Sequence, residues 1–243
     1  MAQNIYDDPD FFRAYSGLPR SVNGLDGAPE WPSLRALLPD VSGRRLIDLG
    51  CGFGWFCRWA VNAGASEVLG IDISEKMLAR AVAETADANV SYERKDLDDL
   101  DLPPSKFDIA YSSLTLHYLT DLDRLFTTVH DSLVPSGVFV FSVEHPIYTA
   151  PSSPQWVADP TGRVTWPLDQ YLAEGPRSTD WLTAGVLKHH RTIETYVSTL
   201  RVAGFVLSAL REWGPSLEQI DQEPDWSRER ERPPFLLVAA QRD

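Results

Sequence analysis

The sequence predicts an α/β protein: a mostly parallel sheet with helices on both faces. Three observations predict it. Five short apolar runs within residues 44–145 alternate with segments of helical period, the pattern of βαβ units. The first run ends in a glycine loop that leads into a helix, an arrangement that puts a ligand at the carboxyl ends of parallel strands. The chain has 243 residues, 43% hydrophobic and 23% charged, enough for one large domain with a sizeable core.

In chain order, the first forty residues are mixed, and Pro19, Pro29, Pro32 and Pro39 break any long helix. "RRLIDLG" is the first strand. "WFCRWAVNAG" is a helix with Gly64 as its C-terminal stop. "SEVLGIDI" is the second strand, and "SEKMLARAVAE" a helix capped by Ser74 with Glu75 in its first turn. "NVSYER" is the third strand and residues 107–112 the fourth. Residues 121–133 place Leu122, Leu125, Phe126, Val129 and Leu133 at helical steps. "GVFVFSVEH" is the fifth strand, bounded by Pro135 and Gly137. Residues 146–187 then hold six prolines and three tryptophans and read as a long irregular insertion of the kind that serves as a lid. "TIETYVSTLRVAGF" sets Ile193, Tyr196, Val197, Leu200 and Ala203 on one helical face, with Gly204 as the stop. "FVLSALREW" and "FLLVAAQ" are two further strands around a polar stretch, residues 214–234. The chain divides into a cap (1–43), a ligand-binding core (44–145), a lid insertion (146–191) and a C-terminal helix with two strands (192–243).

Composition excludes several function classes. No apolar run approaches the ~20 residues of a membrane helix, and the N-terminus lacks a basic-then-apolar leader, so the expected location is cytoplasmic. Cys51 and Cys57 are too few for a disulfide framework and read as small buried thiols. The five histidines form no ligand set, so no metal is expected. A net charge of −13 repels phosphate backbones, so nucleic acid is not an expected partner. The basic stretches at Arg44-Arg45 and from Arg228 to Arg232 read as solvated surface.

The glycine loop has the spacing Gly50-x-Gly52-x-Gly54, followed by Trp55 and Phe56. Glycines allow a tight turn and a close approach of backbone to ligand. The dinucleotide pattern G-x-G-x-x-G fits poorly, because the third glycine comes too early and two bulky aromatics follow. Asp72, closing the second strand, suits a ribose diol in either ligand class. Asp96, just past the third strand, adds an acceptor for an exocyclic adenine amine. Ile73 and Met77 stand where an adenine ring needs apolar cover.

"LIDLGCGFG", "GIDIS", "RKDLDDL", "FDIAYSSLTLHYL" and "LVPSGVFVFSVEHP" resemble, in order and spacing, the successive motifs of class I S-adenosylmethionine-dependent methyltransferases, and among these the type 11 small-molecule enzymes. The resemblance implies a Rossmann-like, mostly parallel seven-stranded sheet with an antiparallel last strand. It implies S-adenosylmethionine as cofactor, with Gly50, Gly52 and Gly54 against it and Asp48 near its amino-acid end. Asp72 would take the ribose, Ile73 and Met77 would flank the adenine, Asp96 its amine, and Leu97 a backbone bond. Ser112 would present its backbone near the amino group. Tyr15 and Arg20 are the cap residues expected over the cofactor, Arg20 as partner of the methionine carboxylate.

Methyl transfer from a sulfonium is an in-line displacement, in which the protein mainly aligns the partners and excludes water. A base is needed only where the acceptor must lose a proton. His145 and His190 are the expected catalytic candidates; a structural bond before Pro146 is the alternative for His145, and His190 faces in if its neighbour His189 faces out. His117 reads as a local contact. Glu144, Tyr148, Trp166 and Tyr171 are expected to bind the acceptor, with Trp181 as a further wall. The fourth strand ends in "YSSLTL" instead of an Asn/Asp-Pro-Pro-Tyr/Phe motif, which disfavours base-amine methylation and leaves a small-molecule acceptor. The rival readings are a nicotinamide-dependent oxidoreductase and a non-catalytic S-adenosylmethionine-binding protein.

Overall fold

A computed structural model describes residues 3–243. Three short helices come first: α1 (Pro9–Ser16), α2 (Pro19–Val22) and α3 (Trp31–Arg35). Asp8 caps α1 by accepting the Asp10 and Phe11 N–H groups. Pro9, Pro19 and Pro32 stand in the first turns of these helices, where a missing N–H costs nothing, and Pro29 and Pro39 lie between and after them.

The core then alternates β1 (Arg45–Leu49), α4 (Trp55–Asn62), β2 (Glu67–Asp72), α5 (Glu75–Glu84), β3 (Val90–Arg94), β4 (Phe107–Ser113), α6 (Leu122–Ser132) and β5 (Leu133–Glu144). Ser74 caps α5 as expected, accepting the Met77 N–H. Gly64 and Gly204, the two expected helix stops, adopt positive φ. The insertion holds α7 (Pro146–Thr149), a two-residue pair β6 (Val157–Ala158) and β7 (Val164–Thr165), and a hairpin of β8 (Gly175–Trp181) with β9 (Thr183–His190). The chain closes with α8 (Ile193–Val202), β10 (Phe205–Trp213), α9 (Leu217–Gln222) and β11 (Phe235–Arg242).

Seven strands form one sheet in the order β10-β11-β5-β4-β1-β2-β3. Neighbours from β3 to β5 are parallel, and β11 runs antiparallel to both β5 and β10. This is the expected Rossmann-like sheet with an antiparallel last strand. Side chains alternate across each strand. Ile47, Phe139 and Phe141 therefore join the core on one face, with Phe126 and Tyr196. Leu46, Val68 and Val140 join the core on the other, with Phe56 and Tyr111. The order reverses between β1 and β4, and the carboxyl ends beside that point form the crevice where open α/β sheets bind ligands.

The insertion corrects one expectation. It is not wholly irregular, because β8 and β9 pair along most of their length. The inward positions near the end of β9 are Val186, Lys188 and His190. Two of the three are polar, so the hairpin lacks the apolar alternation that would mark it in sequence.

Candidate active site

A cavity of about 460 Å³ lies at the carboxyl edge of the sheet, lined from both sides of the reversal, a size suited to a cofactor and a small second ligand. Gly50 and Gly52 line it with φ of +81° and +52°. A Cβ on Gly50 would stand 2.2 Å from Thr115 Oγ1, whereas one on Gly52 would meet no protein atom within 4 Å. The loop thus bares its backbone to the cavity at Gly52. Gly54 corrects the expectation that all three glycines face the ligand. It lies off the cavity, and a Cβ there would stand 2.1 Å from the Tyr92 hydroxyl, so packing beneath α4 requires it.

Asp72 lines the cavity at the end of β2, and its carboxylate accepts the N–H groups of Gly52 (2.9 Å) and Ser74 (2.8 Å). Burial pushes its pKa up, and the Ser74 and Gly52 bonds partly counter that. Ile73, Met77 and Leu97 line the same end. Asp96 accepts the Asp98 N–H at 3.0 Å through Oδ1, while its buried Oδ2 has no hydrogen-bond partner. Ser112 corrects another expectation by one residue. Its buried hydroxyl donates to the Leu49 carbonyl at 2.7 Å and ties β4 to β1, and it is Ser113 that reaches the cavity.

A smaller annex of about 100 Å³ shares Tyr15, Arg20, Gly50, Gly52 and Ser113 with the main cavity and is also lined by Asp48. Asp48 is only 2% exposed. Its Oδ2 accepts from the Cys57 thiol at 3.4 Å, and Oδ1 has no partner. Burial raises its pKa to about 8. Arg20 lines both spaces but is already held in a two-point pair with buried Glu30, at 3.1 and 3.2 Å. Tyr15 packs edge-on against Phe53 and Trp181.

The far end is lined by His117, Tyr118, Glu144, Tyr148, Trp181 and Arg232, among others. Glu144 ends β5, and its Oε1 accepts from the Lys188 ammonium of β9 at 2.6 Å, while its buried Oε2 is unpartnered. Burial would raise Glu144, but the facing His117, Lys188 and Arg232 outweigh it and hold the carboxyl below its usual range. His117 Nδ1 accepts the Glu144 N–H at 3.3 Å, and burial drops this imidazole to about 4. Tyr118 meets the Tyr6 hydroxyl at 3.3 Å.

Both catalytic histidine expectations are corrected. His145 is fully buried and off the cavity; Nδ1 caps α7 by accepting the Ile147 N–H at 3.1 Å, and Nε2 meets Glu212 at 3.0 Å. His190 is also fully buried and faces in, with Nδ1 2.8 Å from the Thr149 hydroxyl and Nε2 donating to the Tyr171 carbonyl at 2.9 Å. With both nitrogens of each ring engaged, neither has a free site for an acceptor's proton. Tyr171 lies off the cavity and serves as that hydrogen-bond acceptor. Trp166 also lies off it, donating to the Ile147 carbonyl at 3.0 Å and stacking behind Tyr148 at 5.5 Å. Tyr148 and Glu144 do reach the cavity.

Sequence reasoning missed Tyr6, Lys188 and the residues from the polar stretch, Trp226, Glu229 and Arg232. Arg232, read from sequence as solvated surface, is 5% exposed and stands over the rings of Trp166 (4.1 Å), Tyr148 (4.5 Å) and Trp156 (5.3 Å). An aromatic-rich insertion facing a late arginine was the available signal. Among the described residues, no group of His, Cys, Asp and Glu could hold a metal ion, and no helix is long and apolar enough to cross a membrane.

Residues 47–141 match a methyltransferase domain model. The chain is similar to the crystal structure of an S-adenosylmethionine-dependent methyltransferase from Mesorhizobium loti, with 59% identity and a TM-score of 0.87 over 90% of this chain and 100% of that one. It is 32% identical to an uncharacterised protein of Haemophilus influenzae over 98% of this chain and 97% of that one. It is 35% identical to the trans-aconitate 2-methyltransferase of Deinococcus radiodurans over 45% of this chain and 42% of that one. The matching domain model stops at residue 141, ahead of Glu144 and everything contributed by the insertion.

Proposed function

The chain belongs to the S-adenosylmethionine-dependent methyltransferases, and on that premise we propose that it methylates a small-molecule acceptor by in-line displacement. Membership overturns the nicotinamide alternative. The observation that carries the proposal is a cavity with two chemically different ends. One end has the bare Gly52 backbone, the ionisable Asp72 and the unpartnered Asp96 Oδ2. These fit a nucleoside: Asp72 for the ribose hydroxyls, Asp96 for the adenine amine, Ile73 and Met77 for the ring faces. The unpartnered Asp48 Oδ1 and the annex fit the amino-acid tail, whose ammonium is the natural partner for a buried carboxylate. Tyr15 covers this end, and Arg20, steadied by Glu30, is a cation within its wall. When bound, the cofactor supplies a methyl group already activated on a sulfonium.

The chain's own contribution is alignment and exclusion of water. Such positioning is worth up to about 7–11 kcal/mol in favourable systems. At the far end, Tyr118, Tyr148 and Trp181 wall an acceptor, and residues 146–191 with the α1 segment act as its lid. Glu144, kept ionised by Lys188, offers the acceptor's O–H or N–H an oxygen that has no other partner. It orients the nucleophile and receives its proton in acceptors that must lose one. His117 is held neutral beside it.

The test is a calorimetric titration of S-adenosylmethionine and of NAD, followed by a screen of small acceptors for release of S-adenosylhomocysteine. Saturable binding of the sulfonium alone, with turnover of an acceptor that falls at least about tenfold in Glu144→Gln, is the expected result. Binding without turnover of any acceptor across a broad library would overturn catalysis in favour of a binding role.

A further inference from the structure

Resting on the acceptor reading above, we propose that the acceptor carries a carboxylate or similar oxyanion and that Arg232 is its anchor. Arg232 lies in the loop before β11, lines the far end of the cavity and is almost wholly buried. The aromatic platform of Trp166, Tyr148 and Trp156 fixes the guanidinium plane. Its ionic partner close by is Glu229, whose Oε2 lies 2.9 Å from Nη1 and whose Oε1 accepts from Nη2 at 3.3 Å, and the buried Nε and Nη1 have no hydrogen-bond partner.

That arrangement is more than a clamp joining the insertion to the C-terminal segment. A structural arginine satisfies its fork, because a buried donor left without a partner costs about 1–3 kcal/mol. Here two of the three guanidinium nitrogens are buried without a hydrogen-bond partner, in a residue that lines the cavity. A guanidinium takes a carboxylate through two parallel N–H bonds, a geometry Lys cannot reproduce. Glu229 is the more exposed member of its pair, with 30% of its side chain accessible against 5% for Arg232. It also lines the cavity. Glu229 thus holds the guanidinium in place and competes with an incoming anion. Of the two cations at this end, Lys188 is held by Glu144 Oε1, and it is Arg232 that keeps donors without a partner.

The experiment is calorimetry on protein with and without S-adenosylhomocysteine, using malonate, benzoate and inorganic phosphate against the neutral matches malonamide and benzamide. At least one anion should saturate and bind about tenfold or more tightly than its neutral match. Arg232→Gln should weaken that anion by about 10–100-fold, the span for losing a hydrogen bond to a charged group, while S-adenosylhomocysteine affinity stays within about twofold. Glu229→Gln should tighten the anion, since it removes a competitor. A purely structural pair predicts the opposite sign there, which keeps the test decisive even if Arg232→Gln misfolds. Absence of binding by all the anions, equal binding of neutral matches, an unaffected Arg232→Gln, or weaker binding in Glu229→Gln would overturn the proposal. Failure of wild type to bind S-adenosylhomocysteine would instead overturn the methyl-transfer reading, and the titrations without it would still decide the anchor. A preference for phosphate over both carboxylates would identify the oxyanion as a phosphoryl group.

Discussion

At the β1–β3 end of the cavity, the wall comes mostly from one stretch, residues 50–97, with Tyr15 and Arg20 beside it, and Asp72 and Asp96 are held there by backbone N–H groups. At the β5 end, the wall is gathered from the N-terminal segment, the loop after β4, the end of β5, the insertion and the loop before β11. Its charges are held by side chains from other segments, Lys188 on Glu144 and Glu229 on Arg232. The first construction fixes one ligand through elements that the fold itself demands. The second leaves the backbone alone and lets side-chain exchange change what is recognised, which suits an acceptor site.

If that contrast holds, breaking a pair at the β5 end should damage stability most. Lys188→Met strands the Glu144 carboxylate in a buried site and should cost about 3–5 kcal/mol in urea unfolding, the range for removing one partner of a buried pair. Lys188→Met with Glu144→Leu should recover most of the loss. A single variant within about 0.5 kcal/mol of wild type would show the pair to be effectively solvated.

The next effect is acid lability. His117 is held neutral down to about pH 4, whereas the unfolded imidazole titrates near its ordinary 6.5. Its folded pKa is depressed, so its contribution is complete above pH 6.5 and is lost as pH falls towards 4. That loss should be roughly 2–3 kcal/mol. His145 and His190 are lowered by burial as well and act in the same direction. His117→Gln should flatten the stability profile between these limits, and an unchanged slope would contradict the burial of this ring.

Smallest, and confined to the β1–β3 end, Asp72→Ala should weaken S-adenosylhomocysteine by about 1–3 kcal/mol in calorimetry. Glu144→Gln should leave that affinity within about twofold. Equal effects from both variants would erase the division between the two ends.

The same contrast explains what could be read from the sequence. β1 to β5, their helices and the glycine loop follow from local period and turn chemistry, and Asp72 and Asp96 follow from their places at strand ends. Gly54 and Ser112 were misplaced because a neighbour's packing, Tyr92 in one case and Leu49 in the other, decides which way each faces. His145 and His190 stand out in the sequence as candidate bases because an imidazole bound at both nitrogens looks the same there as a free one. Arg232 reads as surface in the sequence because its aromatic platform lies in residues 148–166, far away along the chain.

The most direct measurement is a crystal structure of the protein with S-adenosylhomocysteine. The account predicts the ribose hydroxyls on Asp72, the adenine amine on Asp96, and the sulfur turned toward the space between Glu144 and Tyr148. A nucleoside seated at the β5 end, or one leaving Asp72 and Asp96 without contact, would contradict it.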